Sequence, residues 1–133
     1  MSPMEDLQFR TSTPPGGVDA TSGPCPLRTA LGAIGGRWKP LVLNHLLQRP
    51  HGFGELSRAL DGVSNKTLTT QLRELVRDGL ITRVVCDDAR RSVSYSLTED
   101  GASLKPVIRA LIDWGNWWVA TGRASAKKCG VEE

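Results

Sequence analysis

The stretch VSNKTLTTQLRELVRDGLITRVVCDDARRSVSYSLTEDG, residues 63–101, decides the fold. Ser64 is a good helix N-cap, and Leu68, Leu72, Leu75 and Val76 recur at helical spacing behind it. The spacing predicts a helix over about Asn65 to Asp78 with these four side chains facing inward, closed by Gly79. Two β-branched runs with period-two character follow, Ile81 to Cys86 and Val93 to Leu97, separated by Asp87-Asp88-Ala89-Arg90-Arg91-Ser92. A hairpin is expected there. Thr98 then caps another helix, whose first residues Glu99 and Asp100 suit its positive end.

Upstream, Phe53, Leu56 and Leu60 mark a shorter helix, separated from the first by the turn Asp61-Gly62-Val63. Two helices joined by a glycine-containing turn, the second with a polar outer face, form a helix-turn-helix pattern. The hairpin directly behind the second helix is then a wing. Further back, Trp38, Leu41, Val42, His45 and Leu46 lie at i, i+3, i+4, i+7 and i+8, a helix opened by Pro40 and ended by Pro50. His45 falls on that apolar stripe and reads as a core residue, with Trp38 packing nearby. Before it, Cys25-Pro26 starts a helix with the stripe Leu27, Leu31, Ile34, stopped by Gly35-Gly36. Downstream, Pro106 kinks or restarts the last helix, where Val107, Ile108, Leu111, Ile112, Trp114, Gly115, Trp118 and Val119 cover more than one narrow stripe.

The fold class expected is mainly α with a small β-hairpin, a winged helix-turn-helix that dimerises through its terminal helices. The chain divides into a flexible arm (1–24), rich in Pro, Gly, Ser and Thr, a domain over 25–121, and a polar tail over 122–133. At 133 residues this is one domain, long enough to bury a core. The net charge of +3 is mild, so the placement of the charges matters more than their sum. No apolar run reaches bilayer length and no charged-then-apolar leader opens the chain, so a cytoplasmic setting is expected, with no membrane partner. Cys25, Cys86 and Cys129 are odd in number and widely spaced, with no CxxC pair and no metal-ligand pattern with His45 or His51. They imply neither a metal nor a cofactor. An enzyme built on Cys25 would need a Cys–His pair, which the sequence does not offer.

On the predicted wing-side helix, the face opposite the leucines carries Asn65, Lys66, Thr69, Thr70 and Arg73, with Arg77 a turn further on and Ser64 at its start. Such a face is either an ordinary solvated surface or a reader of double-stranded DNA. Short polar groups suit base edges or phosphates, while Lys66 and Arg73 reach guanine acceptors or simply neutralise phosphates. Arg90 and Arg91 at the wing tip suit an adjacent minor groove or its backbone. A winged helix serving as a protein-interaction module is the rival from another class.

The strings CPLRTALGAIGGRWKPLVLNHL, FGELSRAL, VSNKTLTTQLRELVRDGLI, YSLTEDG and DWG, in that order, resemble the HxlR-type regulators, relatives of the MarR group. The resemblance spans Cys25 to Gly115. It implies a dimeric winged-helix transcriptional regulator binding a (pseudo)palindromic operator, not an enzyme. Two departures stand out: Arg90-Arg91 occupy a wing tip that often contains proline in the family, and Gly54 stands where relatives often have a side-chain cap, which predicts a weaker start to the third helix. Leu111, Trp114, Trp117 and Trp118 are the expected dimer contacts, because a monomer of this size cannot bury the whole broad face. Some regulators with the same N-terminal Cys-Pro motif respond to oxidants or electrophiles. Cys25 is therefore the candidate redox sensor, its thiolate favoured by the helix N-terminus and by Arg28. Its partner in a disulfide, a second Cys25 or another cysteine, stays open. A small-molecule effector bound between the DNA-reading part and the dimer helices also stays open, as does the choice between repression and activation.

Overall fold

The computed structural model describes residues 25–123. The expected arm (1–24), most of the expected tail and Cys129 lie outside them. The order is α1 (Pro26–Ile34), α2 (Lys39–Gln48), β1 (His51–Gly52), α3 (Phe53–Ala59), α4 (Asn65–Arg77), β2 (Ile81–Val85), β3 (Val93–Leu97), α5 (Glu99–Ala102) and α6 (Lys105–Ala120). The strands form one antiparallel sheet in the order β1-β3-β2, with Ile81 opposite Leu97 and Val85 opposite Val93. Pairing of β1 with β3, His51 opposite Tyr95, was not expected. Two residues are too few to leave a periodic signal, and only the fold brings them to the sheet edge.

Leucine burial builds the centre. Val42, Leu43 and Leu46 of α2 meet Leu56 and Leu60 around α3, Leu68, Leu72 and Leu75 of α4, Ile81 and Ile108. Helix α2 runs through the middle and is covered on more than one side: Leu43 and Lys39 are buried along with Val42, His45 and Leu46, while Trp38 and Leu41 are half-buried. The Lys39 ammonium is paired with Glu74 Oε1 at 2.7 Å, tying α2 to α4. This pair holds the Glu74 carboxyl below its usual range, through the hydrogen bond and then the charge of Lys39.

Val76 is a correction. It was expected inside, and it is 39% exposed. At 3.6 residues per turn it lies about 80° from Leu68, at the edge of the leucine stripe and on the flank shared with Thr69 and Arg73. The start of α3 is a second correction. Its N-cap is Gly52, not Gly54, and the Glu55 carboxylate supplies the missing cap by accepting from Gly52 N–H at 2.9 Å. A side chain three residues inside the helix thus replaces one at the cap. That bond, then the hydrogen bond from Arg49, holds the Glu55 carboxyl below its usual range.

The end of α4 is fastened tightly. Gly79, at φ +79°, takes the left-handed conformation that glycine adopts without penalty. Gly79 N–H donates to Val76 O and Leu80 N–H to Leu75 O, both at 3.0 Å, the paired bonds of a Schellman end. Thr98 then clasps this end: its N–H donates to Leu80 O (3.0 Å), and its hydroxyl donates to Gly79 O (2.6 Å) while accepting from Gly101 N–H (3.1 Å). A Cβ on Gly101 would sit 2.0 Å from Leu80 O, so glycine alone permits this approach. Thr98 caps α5 as expected, and Pro106 restarts the chain as α6.

Terminal helices leave their apolar faces outside. Leu27 and Leu31 of α1 are exposed, and of its stripe only Ile34 joins the core. In α6 only Ile108 is buried.

His45 is buried in the core as expected, but its Nε2 has no hydrogen-bond partner. Its ring meets that of His51 edge-on, centroids 5.6 Å apart, and His51 Nδ1 lies 2.8 Å from Arg49 O. Burial, then the His51 charge, pushes the His45 pKa below its usual 6.5. As pH falls through 6.5 the unfolded chain takes up this proton before the folded one, so stability falls with pH in that window. Urea unfolding at successive pH values from mildly alkaline to mildly acidic is expected to show this loss, and His45→Leu is expected to flatten it. A wild-type midpoint indifferent to pH in this window would contradict the assignment.

Candidate nucleic-acid interface

Helix α4 owes its presentation to its cap. Ser64 Oγ accepts from Thr67 N–H at 3.0 Å and donates to Thr67 Oγ1 at 2.9 Å, holding the first turn without help from the residues beside it. With Leu68, Leu72 and Leu75 buried, Ser64, Asn65, Lys66, Thr69 and Arg73 are exposed. Thr70 differs from the expectation. It is half-buried, and its hydroxyl donates back to Lys66 O at 3.1 Å, which satisfies it within the helix. Arg77 is exposed at the far end and paired with the adjacent Asp78 at 3.2 Å, a surface pair of small energetic weight.

The outer strand of the hairpin lies at the surface, while β3 is half-buried. In β2 only Ile81 is buried, and Thr82 to Val85 are exposed. Its tip is organised by Asp88, whose carboxylate accepts from Arg90 N–H at 3.1 Å and Ser92 N–H at 3.4 Å, while Asp88 O accepts from Arg91 N–H at 3.0 Å. Arg91 takes a left-handed φ of +51° at this turn. Both arginines are exposed. Asp88 is a residue that sequence reasoning missed: an aspartate bonding the backbone two residues on is a recognised turn signal, hidden here inside a charged run. Arg83 of β2 is exposed beside the hairpin partner Tyr95, and an arginine within a strand carries no motif.

The α6 candidates lie together. Trp114 stacks on Trp118 with centroids 5.4 Å apart, and Trp117 lies 5.9 Å from Trp114. Leu111, Trp114 and Trp117 are exposed, whereas Trp118 is half-buried and lies beneath the Arg123 guanidinium at 4.5 Å. An open groove of about 510 Å³ runs between α2 and α6, lined by Leu41, Asn44, Ile108, Leu111, Ile112 and Asn116 among others. Cys25 is the N-cap of α1 and exposed, with no side-chain cap bond, and Cys86 is exposed at the end of β2. No helix among the described residues is long and apolar enough to cross a membrane.

Residues 33–123 match the model of the HxlR-like helix-turn-helix family. The chain is 43% identical over 102 residues to the uncharacterised HTH-type transcriptional regulator YdeP of Bacillus subtilis strain 168, covering 74% of this chain and 80% of that one. Among solved structures, the redox regulator HypR in its oxidised form superposes with a TM-score of 0.67 at 36% identity, over 70% of this chain and 96% of that chain. Quinone-bound YodB of B. subtilis superposes with a TM-score of 0.60 at 29% identity, over 70% and 99%. The winged-helix fold is therefore shared with solved regulators of MarR type, and the relatives are transcriptional regulators, not enzymes. The chain belongs to the HxlR-like helix-turn-helix family of transcriptional regulators.

Proposed function

We propose that this protein is a cytoplasmic regulator that binds a (pseudo)palindromic operator as a homodimer and is switched by oxidants or electrophiles through Cys25. The observation that carries the DNA reading is the polar and basic face of α4, with Asn65, Lys66, Thr69 and Arg73 exposed from its first turn onward. The N-terminal half of such a helix enters a major groove. Lys66 and Arg73 supply phosphate or guanine contacts, Ser64, Asn65 and Thr69 lie close to bases or backbone, and Thr70 contributes mainly by shaping the helix. Arg77, Arg90 and Arg91 flank this face and contact the backbone on either side. Residues 25–121 form the working unit, with 1–24 and 122–133 as its arm and tail.

Dimerisation is supported by the apolar surface left outside. Leu27 and Leu31 of α1 are 68% and 58% exposed, and Leu111, Trp114 and Trp117 of α6 are 53%, 58% and 53% exposed. So much exposed apolar side chain on two helices is unusual for a monomer. A two-fold partner covers it, Trp118 included, and sets two copies of α4 about one turn of DNA apart.

The switch reading rests on Cys25, exposed at the start of one of these helices, and on likeness to HypR, a redox regulator. Oxidation of two thiols to a disulfide, with loss of two protons and two electrons to the oxidant, would change how the terminal helices meet. A small-molecule effector is the companion reading. The α2–α6 groove has apolar walls and a volume of about 510 Å³, within the roughly 300–1,000 Å³ of ligand sites, and the related YodB is known in a quinone-bound form.

Three outcomes are expected. In a salt titration with excess competitor, the protein binds the duplex upstream of its own gene or the neighbouring divergent gene selectively, and Lys66→Ala/Arg73→Ala weakens this by about a hundredfold or more. Equal binding by the double variant would sink the assignment of α4. Trp114→Glu sediments as a monomer and binds the same duplex at least about a hundredfold more weakly, through lost avidity; a dimeric Trp114→Glu would place the interface elsewhere. Mild oxidation changes duplex binding by wild type and leaves Cys25→Ser unaffected, whereas a response retained by Cys25→Ser would remove Cys25 from the switch.

A further inference from the structure

A second groove, of about 300 Å³, runs between α4 and the hairpin. Thr69, Leu72, Arg73 and Val76 wall it from the helix, and Arg83 and Tyr95 from the strands. Strand register explains the arrival of the last two. Arg83 of β2 pairs directly with Tyr95 of β3, so both side chains leave the sheet on one face. That face is turned to α4. Val76, displaced from the core stripe, forms the apolar floor with Leu72.

Two exposed arginines thus line one groove. No carboxylate lines it, and neither Arg73 nor Arg83 makes a salt bridge among the described residues. Like charges held together without a counter-charge repel. An oxyanion between them turns that repulsion into two charge-assisted hydrogen bonds, and the apolar floor strengthens both by thinning the water around them. Thr69 and Tyr95, which also line the groove, each carry a hydroxyl able to donate. A guanidinium fork matches the oxygens of a phosphate in geometry as well as charge. Phosphates are also what border a helix lying in a major groove.

We propose that Arg83, with Arg73, Thr69 and Tyr95, clasps a DNA backbone phosphate, fixing the depth and angle at which α4 enters the groove. This rests on the DNA-binding reading above and assigns Arg73 to the backbone. The contact is blind to sequence, so it is measurable without knowing the operator. Full-length protein is titrated against a fluorescent random-sequence duplex at salt concentrations from about 50 to 200 mM. Arg83→Gln is expected to bind about tenfold more weakly at fixed salt and to lower the salt slope by about one. Arg83→Lys, which keeps the charge and loses the fork, is expected to keep the slope and to bind less tightly than wild type.

Arg83 is exposed, so both variants are expected to melt with the wild type. Should Arg83→Gln unfold, Arg83→Lys carries the test: weaker binding at wild-type slope supports the clasp, and wild-type affinity overturns it. If wild type binds and Arg83→Gln matches it in affinity and slope, the clasp alone is overturned. If wild type shows no salt-dependent binding of any duplex, the DNA reading and the clasp fall together.

Discussion

Leu80 O is the point on which the rest of the structure depends. It accepts the Thr98 N–H at 3.0 Å, and Gly101 packs so closely against it that any side chain there would overlap it. One peptide unit thereby joins the end of α4, the far end of the hairpin and the start of α5. Gly79 and the two Schellman bonds deliver the chain to that point, and the Thr98 hydroxyl bridges Gly79 O to Gly101 N–H. Backbone groups of three elements are thereby satisfied where those elements meet. The angle between helix and wing is set here, at the opposite end of α4 from Ser64, Asn65 and Lys66.

A second tie acts on the same helix from the other side. Glu74 and Thr69 lie on opposite flanks of the leucine stripe. On one flank the buried Lys39 holds Glu74; on the other, Thr69, Val76 and Arg73 face the hairpin across the narrow groove. Helix α4 is therefore restrained about its own axis as well as along it. Rotation would expose a leucine and separate Lys39 from its only ion-pair partner among the described residues, leaving a charge buried without compensation. A reading helix benefits from such restraint, because side chains must meet groove edges in a defined register.

Away from this frame the molecule is left open. Helices α1 and α6 hold most of the large exposed apolar side chains, and Cys25 sits at the first turn of α1. The rigid half and the unpaired half are joined mainly through α2, which packs against both α4 and α6. A change at the terminal helices has a route to the reading helix through this shared core helix. The switch proposed for Cys25 would act along this route.

Much of this was legible in the residues themselves. Leu68, Leu72 and Leu75 at helical spacing, Ser64 ahead of them and Gly79 behind them determine α4 and its outward face locally, because helix period and caps depend on near neighbours. The β-branched runs determine the hairpin for the same reason, and Thr98 the start of α5. Tertiary structure alone decided where those faces meet other elements. It brought His51 into the sheet, turned Val76 outward and placed Arg83 across from Tyr95 and beside Arg73. Each of these depends on contacts between residues distant in the chain or on the exact edge of a buried stripe, and a period counted along the sequence carries no information about either.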